Sequence, residues 1–175
     1  QIINITQAGA GATLTATPTT LNYVAAGGSQ TITVTSNISW TATSSQGWLT
    51  LTGGAGTGNG TFTAASSNNA TVTPRTAQVT VTGSGLTQII NITQAGAGAT
   101  LTATPTTLNY VAAGGSQTIT VSSNISWTAT SSQGWLTLTG GAGTGNGIFT
   151  ATASNNASVN PLTAVITLTG GGLTQ

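Results

Sequence analysis

The sequence predicts an all-β chain made of two tandem antiparallel sandwiches, and three observations lead to this fold class. Apolar residues alternate with threonine at a period of two, as Ile32 and Val34 do between neighbouring threonines. Clusters of Gly, Pro, Asn and Ser interrupt the alternation at short intervals. Residues 1–88 recur almost unchanged as residues 88–175. A repeat of this length exceeds most solenoid repeats, so we expect each copy to form its own closed core.

Short strands follow one another through each copy, and no segment predicts a helix. Threonine favours strands because its branched β-carbon fits an exposed sheet face without adding charge. The Gly27-Gly28 pair and the glycine-rich segment 53–60 predict turns or loops, while Pro18 and Pro74 fall between strands. Seven or eight short strands per copy are typical of an antiparallel sandwich. The strands predicted in the first copy are 13–17, 21–24, 30–36, 38–43, 48–51, 60–65, 77–82 and 87–94.

The charge content excludes several classes of function. Arg75 is the one charged side chain among 175 residues, and the chain contains no Asp, Glu, Lys, His or Cys. General acid–base catalysis, metal binding and neutralisation of nucleic-acid phosphates all need groups that are missing here. We therefore predict no enzyme activity, no cofactor, no metal and no nucleic-acid partner, and no apolar span is long enough to cross a membrane. A net charge near zero favours self-association.

Five segments of the first copy form a set of motifs in a fixed order, at residues 16–23, 26–34, 36–40, 47–51 and 90–94. Together they resemble the BACON domain, an immunoglobulin-like β-sandwich family of surface and secreted Bacteroidetes proteins. The resemblance covers nearly all of each copy and implies two tandem immunoglobulin-like sandwiches. It also implies an extracellular or cell-surface location in a Bacteroidetes-like bacterium, with a role as a spacer or in carbohydrate binding.

The family pattern makes residues 90–94 the last strand of the first domain, which affects how both ends of the repeat are interpreted. Residues 1–9 then form a spare strand, residues 10–97 the first domain, and residues 98–175 a second domain without its last strand. We expect Ile2, Ile3 and Ile5 to act as a donor strand that fills the second domain of a neighbouring copy. Their internal counterparts are Ile89, Ile90 and Ile92.

A head-to-tail contact of this kind does not close on itself and generates a filament. The sequence leaves one alternative open, in which these residues are part of a longer tandem array and the missing strand follows in the same chain. Either arrangement predicts a repetitive fibre whose main partner is itself.

The two copies differ mainly between Thr61 and Ser84 and their counterparts, and several of these differences replace a polar residue by an apolar one. The second copy has Ile148, Leu162 and Val165 where the first has Thr61, Arg75 and Gln78. Neutral divergence explains such differences. The alternative is that the three apolar residues form an assembly face on the second domain.

The tryptophans offer a further candidate site. Trp40 shares a face with Ile38 and Ala42 and is expected in the core. Trp48 and its counterpart Trp135 are out of phase with the neighbouring leucines, so a partly exposed ring could stack on a sugar. This pair is the basis of the alternative function, a carbohydrate-binding module, although core or interface packing explains the same pattern.

Overall fold

The computed structural model describes all 175 residues as two units, Gln1–Ala97 (unit 1) and Gly98–Gln175 (unit 2). Both units consist of strands and loops, so the predicted all-β class is confirmed. No helix is present that could cross a membrane.

Unit 1 is a sandwich of two sheets formed by nine strands. One sheet has the order β1-β3-β7-β5 and the other the order β2-β9-β8-β4-β6. The strands are β1 (Leu14–Thr17), β2 (Thr20–Tyr23), β3 (Gly28–Ser36), β4 (Ser39–Ser44), β5 (Leu49–Thr52), β6 (Ala55–Thr57), β7 (Gly60–Ser66), β8 (Arg75–Gly83) and β9 (Leu86–Gln94).

The pairing of β2 with β9 differs from the expected antiparallel arrangement. These two strands run parallel, with Leu21 opposite Ile92 and Tyr23 opposite Gln94. All other pairs of unit 1 are antiparallel, including β8 with β9. Strand β9 therefore lies between a parallel and an antiparallel neighbour.

Strand β6 lies inside the glycine-rich segment that the sequence predicted as a loop. The strand pairs with β4 and places Gly56 opposite Trp40. A β-carbon added at Gly56 would lie 2.7 Å from Cζ2 of the Trp40 ring, so only glycine fits there. The Trp40 indole N–H also donates a hydrogen bond of 2.9 Å to the carbonyl of Gly58.

The core of unit 1 lies between its two sheets and follows the period-two pattern of the strands. Ile32 and Val34 of β3 are fully buried, and the intervening threonines are exposed. Trp40 is buried, as its phase predicted, and its ring lies 6.0 Å from that of Phe62. The two sheets thus hold together through alternate residues of each strand.

Unit 2 repeats this plan with eight strands. Its sheets have the orders β10-β11-β15-β13 and β14-β12-β16-β17. The strands are β10 (Leu101–Thr104), β11 (Gly115–Ser123), β12 (Ser126–Ser131), β13 (Leu136–Thr139), β14 (Ala142–Thr144), β15 (Gly147–Ala153), β16 (Ile166–Gly170) and β17 (Leu173–Thr174).

The N-terminal segment forms no strand in the single chain. Residues 1–13 have no regular secondary structure and are exposed throughout. Within this segment only Gly11 and Thr13 are hydrogen-bonded, to Ser36 and Asn37, so residues 1–10 have no partner for the backbone N–H and C=O groups that a strand must pair. The predicted donor strand needs a neighbouring copy as its partner and stays a prediction.

The pH dependence of folding follows from the two tyrosines. Burial raises the pKa of the Tyr23 and Tyr110 phenols above their ordinary value of 10.0. Each hydroxyl also donates a hydrogen bond of 2.7 Å to a backbone carbonyl, of Ala64 and Ala151 respectively. A pKa raised by folding stabilises the fold below the unfolded pKa, and this contribution is lost as pH rises through the folded value.

We therefore expect the melting temperature to stay level between about pH 4 and pH 9, where no side chain of this composition changes its charge. It should fall above about pH 10, as the tyrosines ionise. Calorimetry across this range measures the effect, and a Tyr23→Phe/Tyr110→Phe variant should lose the alkaline decline. A clear stability maximum near neutral pH would contradict the expectation.

Candidate functional site

The candidate site is a groove in unit 2, at the position that corresponds to the second half of β9 in unit 1. In unit 1, residues 88–94 lie between β2 and β8 and are hydrogen-bonded to both strands. Ile90 and Ile92 point into the core with 0% and 1% of their surface exposed. This strand therefore closes the space between the two sheets.

Unit 2 has no strand at the corresponding position. Strand β17 has two residues where β9 has nine, and β16 has five where β8 has nine. Residues 107–110, the counterparts of β2, form no strand at all. A groove of about 800 Å³ is open between these segments.

The groove has an apolar floor and unpaired backbone along its sides. Leu108, Phe149, Ile166 and Leu168 line it. In unit 1 the counterparts of Leu108 and Ile166 are fully buried, whereas these two residues are only partly buried in unit 2. The groove thus combines an open sheet edge with a partly exposed apolar floor.

The N-terminal segment has the same sequence as the strand that fills this position in unit 1. Residues 1–7 and 88–94 are identical. Ile3 and Ile5 are 77% and 88% exposed, whereas their counterparts Ile90 and Ile92 are buried. Ile2 was grouped with them by sequence, but its counterpart is Ile89, which is half-exposed on the outer face of its sheet. Ile3 and Ile5 are thus the two isoleucines suited to enter a groove.

A polar cluster holds the end of β9 in unit 1. The Gln94 side chain is 0% exposed. Its Nε2 donates hydrogen bonds to the carbonyls of Val24 (3.2 Å), Ala25 (3.1 Å) and Ser67 (2.8 Å). Its Oε1 accepts a hydrogen bond of 2.8 Å from Nε of Arg75. Every hydrogen-bonding atom of this buried amide group is therefore used.

Arg75 is held in turn by its other contacts. Its guanidinium carbon lies 4.3 Å from the centroid of the Trp48 ring, a cation–π contact. One of its terminal nitrogens donates hydrogen bonds to Ser67 and to the carbonyl of Asn68. The single charge of the chain thus links the last residue of β9 to the adjacent loop.

This cluster was not predicted from the sequence, although the sequence contains a signal for it. Arg75 lies opposite Gln94 in the β8–β9 register. The only charged side chain of the protein therefore meets the one fully buried polar side chain of β9, and it is replaced by Leu162 in the unit that has no such strand. A lone charge that differs between two near-identical copies is a marker for such a site.

The three residues predicted to form an assembly face do not share one face. Ile148 is exposed on β15, whereas Leu162 and Val165 precede β16 of the opposite sheet. Leu162 and Val165 both line the groove. The period-two pattern shows that a residue points outward but not from which sheet, so the prediction of a single patch was wrong.

The two candidate sugar-stacking tryptophans are both partly buried. Trp48 packs against the core of unit 1, and Arg75 covers one face of its ring. Trp135 packs against the core of unit 2 and lines the groove. Both rings therefore belong to the surroundings of the β9 position rather than to an open platform.

The comparisons with solved structures find partial likenesses. One is a GH5 xyloglucanase from Bacteroides ovatus in complex with a XXXG heptasaccharide, at 27% identity over 57% of this chain and 21% of that chain, with a TM-score of 0.47. Another is invasin, a bacterial integrin-binding protein, at 15% identity over 93% and 37% of the two chains, with a TM-score of 0.48. The E. coli chaperone DraB follows at 10% identity over 93% and 94%, with a TM-score of 0.41.

This chain thus spans about a fifth of the xyloglucanase, by the 21% coverage. No curated protein matches it. The family model described as the viral BACON domain matches twice, over residues 13–97 and 100–175. The chain belongs to the BACON family and contains two tandem BACON domains.

Proposed function

We propose that the chain is a structural subunit or segment of an extracellular fibre or adhesin stalk, linked head-to-tail by strand donation. Residues 1–7 of one copy supply the strand, and residues 2–7 fill the groove in unit 2 of the next copy, because Gln175 already pairs with Leu168 at the position of Gln88. The observation that supports this most directly is the identical heptapeptide at residues 88–94, whose Ile90, Ile92 and Gln94 side chains are buried at the equivalent position of unit 1. The role is non-catalytic.

Strand donation removes two apolar surfaces from water at once. Ile3 and Ile5 are exposed in the free chain, and so is part of the apolar floor formed by Leu108 and Ile166. Burying an isoleucine side chain is favourable by about 1.5–3 kcal/mol. The donated backbone also pairs with the open edge of β16, as β9 pairs with β8 in unit 1.

The contact is heterologous, because the donor segment and the groove are different surfaces of the chain. Such contacts repeat from copy to copy and produce an open filament. The same strand could also be supplied by residues that follow in a longer tandem array, which gives a fibre with the same chemistry. The neighbouring copy is the donor that we propose, and the longer array is an outcome of the test below.

The proposed location is an exposed surface outside the cell. The chain resembles BACON domains of secreted and cell-surface proteins, and the matching family model is described as viral. A fibre on a virus particle or on a bacterial surface fits both, and a chain with one charged side chain offers no charged site for other partners.

Carbohydrate binding was the alternative function that the sequence left open. A sugar would need an aromatic ring with a free face. Arg75 covers one face of Trp48, and Trp135 lies where the donor strand would enter. These contacts favour the structural role over a glycan site at either tryptophan.

We expect the purified chain to form filaments in a concentration-dependent manner, visible by electron microscopy and by sedimentation. A synthetic peptide with the sequence of residues 1–7 should shorten the filaments, because it occupies the groove. A peptide with the same residues in scrambled order is the control. Because the interface is nearly uncharged, about 1 M sodium chloride should leave assembly unchanged.

Two results would argue against the proposal. A chain that stays monomeric at every accessible concentration would exclude donation between copies and would leave the longer array as the source of the strand. Filaments whose length does not change with the peptide, or that dissociate in sodium chloride, would show that another interface joins the copies.

A further inference from the structure

We infer that Gln7 sets the register of the donated strand, and that Leu162 determines how tightly unit 2 holds it. The inference deepens the proposed function and depends on it. It follows from a difference between two otherwise matching sites, the closed one in unit 1 and the open one in unit 2.

The end of the strand fixes the register in unit 1. Gln94 is the only polar residue of β9 whose side chain is buried, and it is surrounded by three backbone carbonyls. A slip of one residue would turn Thr93 inward and both isoleucines outward. A slip of two residues would place the apolar Ile92 among the carbonyls and leave them without donors. Only the observed register therefore buries Ile90 and Ile92 and also places the Gln94 amide beside its hydrogen-bond partners.

Unit 2 retains the acceptors for this amide. Val111, Ala112 and Ser154 are the counterparts of the three residues whose carbonyls accept hydrogen bonds from Gln94. Gln7 is the counterpart of Gln94 in the donor segment. The Nε2 group of Gln7 can therefore be satisfied in the groove just as that of Gln94 is in unit 1.

Unit 2 lacks the donor for the other half of the amide. Arg75, whose Nε donates to Gln94 Oε1, is replaced by Leu162. Leucine offers no hydrogen bond, so the Oε1 atom of a donated Gln7 loses its charged partner. A buried polar atom without a partner opposes binding, and hydrogen bonds from charged donors are the stronger ones. The groove thus holds the strand less tightly than an arginine-bearing groove would.

The residues that contact Arg75 in unit 1 have identical counterparts near Leu162 in unit 2. Arg75 lies on Trp48 and donates to Ser67 and Asn68. Their counterparts in unit 2 are the same residue types, Trp135, Ser154 and Asn155, and both positions follow a proline. An arginine introduced at position 162 therefore meets a complete set of partners once Gln7 is bound.

The test measures the affinity of a fluorescent peptide with the sequence of residues 1–7 for the full chain. The chain carries Ile3→Asn and Ile5→Asn, so that its own segment does not compete. We expect Leu162→Arg to tighten binding about tenfold, which corresponds to roughly 1.4 kcal/mol. A peptide with Gln7→Met, which removes the acceptor oxygen at similar size, should gain less than about twofold from the same arginine.

The outcomes separate this inference from the proposed function. Binding that does not respond to Leu162→Arg would overturn the inference and leave strand donation intact. An equal gain for both peptides would also overturn it, because the arginine would then act without Gln7. Absence of binding in every variant would overturn the proposed function and the inference with it.

A second measurement tests the arginine–glutamine contact without assembly. Arg75→Leu and Gln94→Met, made singly and together in unit 1, form a double-mutant cycle read by chemical denaturation. We expect the double variant to be clearly more stable than the sum of the single losses predicts, because each single change leaves a buried group unpaired. Additive losses would remove the basis of the inference.

Discussion

Replacing Ile92 with alanine is expected to lower the free energy of unfolding of unit 1 by about 2–5 kcal/mol. The same replacement at Ile5 should change it by less than about 0.5 kcal/mol in the unassembled chain. Both isoleucines lie in the sequence Asn-Ile-Thr, but Ile92 is 1% exposed and Ile5 is 88% exposed. The difference comes from the cavity that the lost side chain leaves in unit 1 and from the absence of any packing around Ile5.

Calorimetry at a concentration below assembly measures this contrast. The transition of unit 1 should move down by about 4–8 °C for each kcal/mol, as for domains of this size. Ile5→Ala is the matched control, since it changes the same residue in the same local sequence. Equal shifts for the two variants would contradict the account, because the N-terminal segment would then be packed in the free chain.

Above the assembly concentration, the Ile5→Ala replacement should also become destabilising. Ile5→Ala then removes packing from the groove of a neighbouring unit 2, so the stabilisation that binding confers on that unit decreases.

The two heptapeptides also show what a sequence can and cannot predict. Residues 88–94 form part of β9 and residues 1–7 form no strand, although their sequences are identical. Alternation of isoleucine with polar residues therefore predicts a segment that can become a strand. Whether it does depends on a partner edge, which is a tertiary property.

Other features followed the local pattern more closely. Ile32, Val34 and Trp40 are buried as their phase predicted, because alternate side chains of a strand point to opposite faces. Strand β6 was not predicted, because a glycine-rich segment is typical of a loop. Its glycines are explained only by the structure, in which the Trp40 ring lies against Gly56. The parallel pairing of β2 with β9 was missed too, because pairing partners far apart in sequence leave no local signal.

The donor isoleucines were predicted from the repeat and stay a prediction. The structure adds that Ile3 and Ile5, not Ile2, have buried counterparts. The Arg75–Gln94 contact could not be derived from spacing, because the register of β8 with β9 had to be known first.

A disulfide placed across the proposed junction tests strand donation in its predicted register. In unit 1, Thr80 lies opposite Ile89 in the antiparallel β8–β9 pair. Their counterparts at the junction are Thr167 and Ile2. Directly opposed residues of an antiparallel pair have Cα atoms about 4.5–5.5 Å apart, and disulfides form over Cα separations of about 4.4–6.8 Å. The natural chain contains no cysteine, so no other disulfide competes.

Two controls define what a positive result means. Thr80→Cys with Ile89→Cys should form a bridge within one chain and shows that this geometry permits oxidation. Ile2→Cys with Thr163→Cys places the second cysteine four residues out of register, about 13 Å along the strand, and should not cross-link. Both cysteines of this control are exposed, so it also measures random oxidation.

The decisive measurement is electrophoresis of the oxidised Ile2→Cys/Thr167→Cys chain under non-reducing conditions. Strand donation between copies predicts a ladder of covalent multimers that collapses to a single band on reduction, with no ladder from the out-of-register control. A single band before reduction, or equal ladders from both variants, would contradict the account.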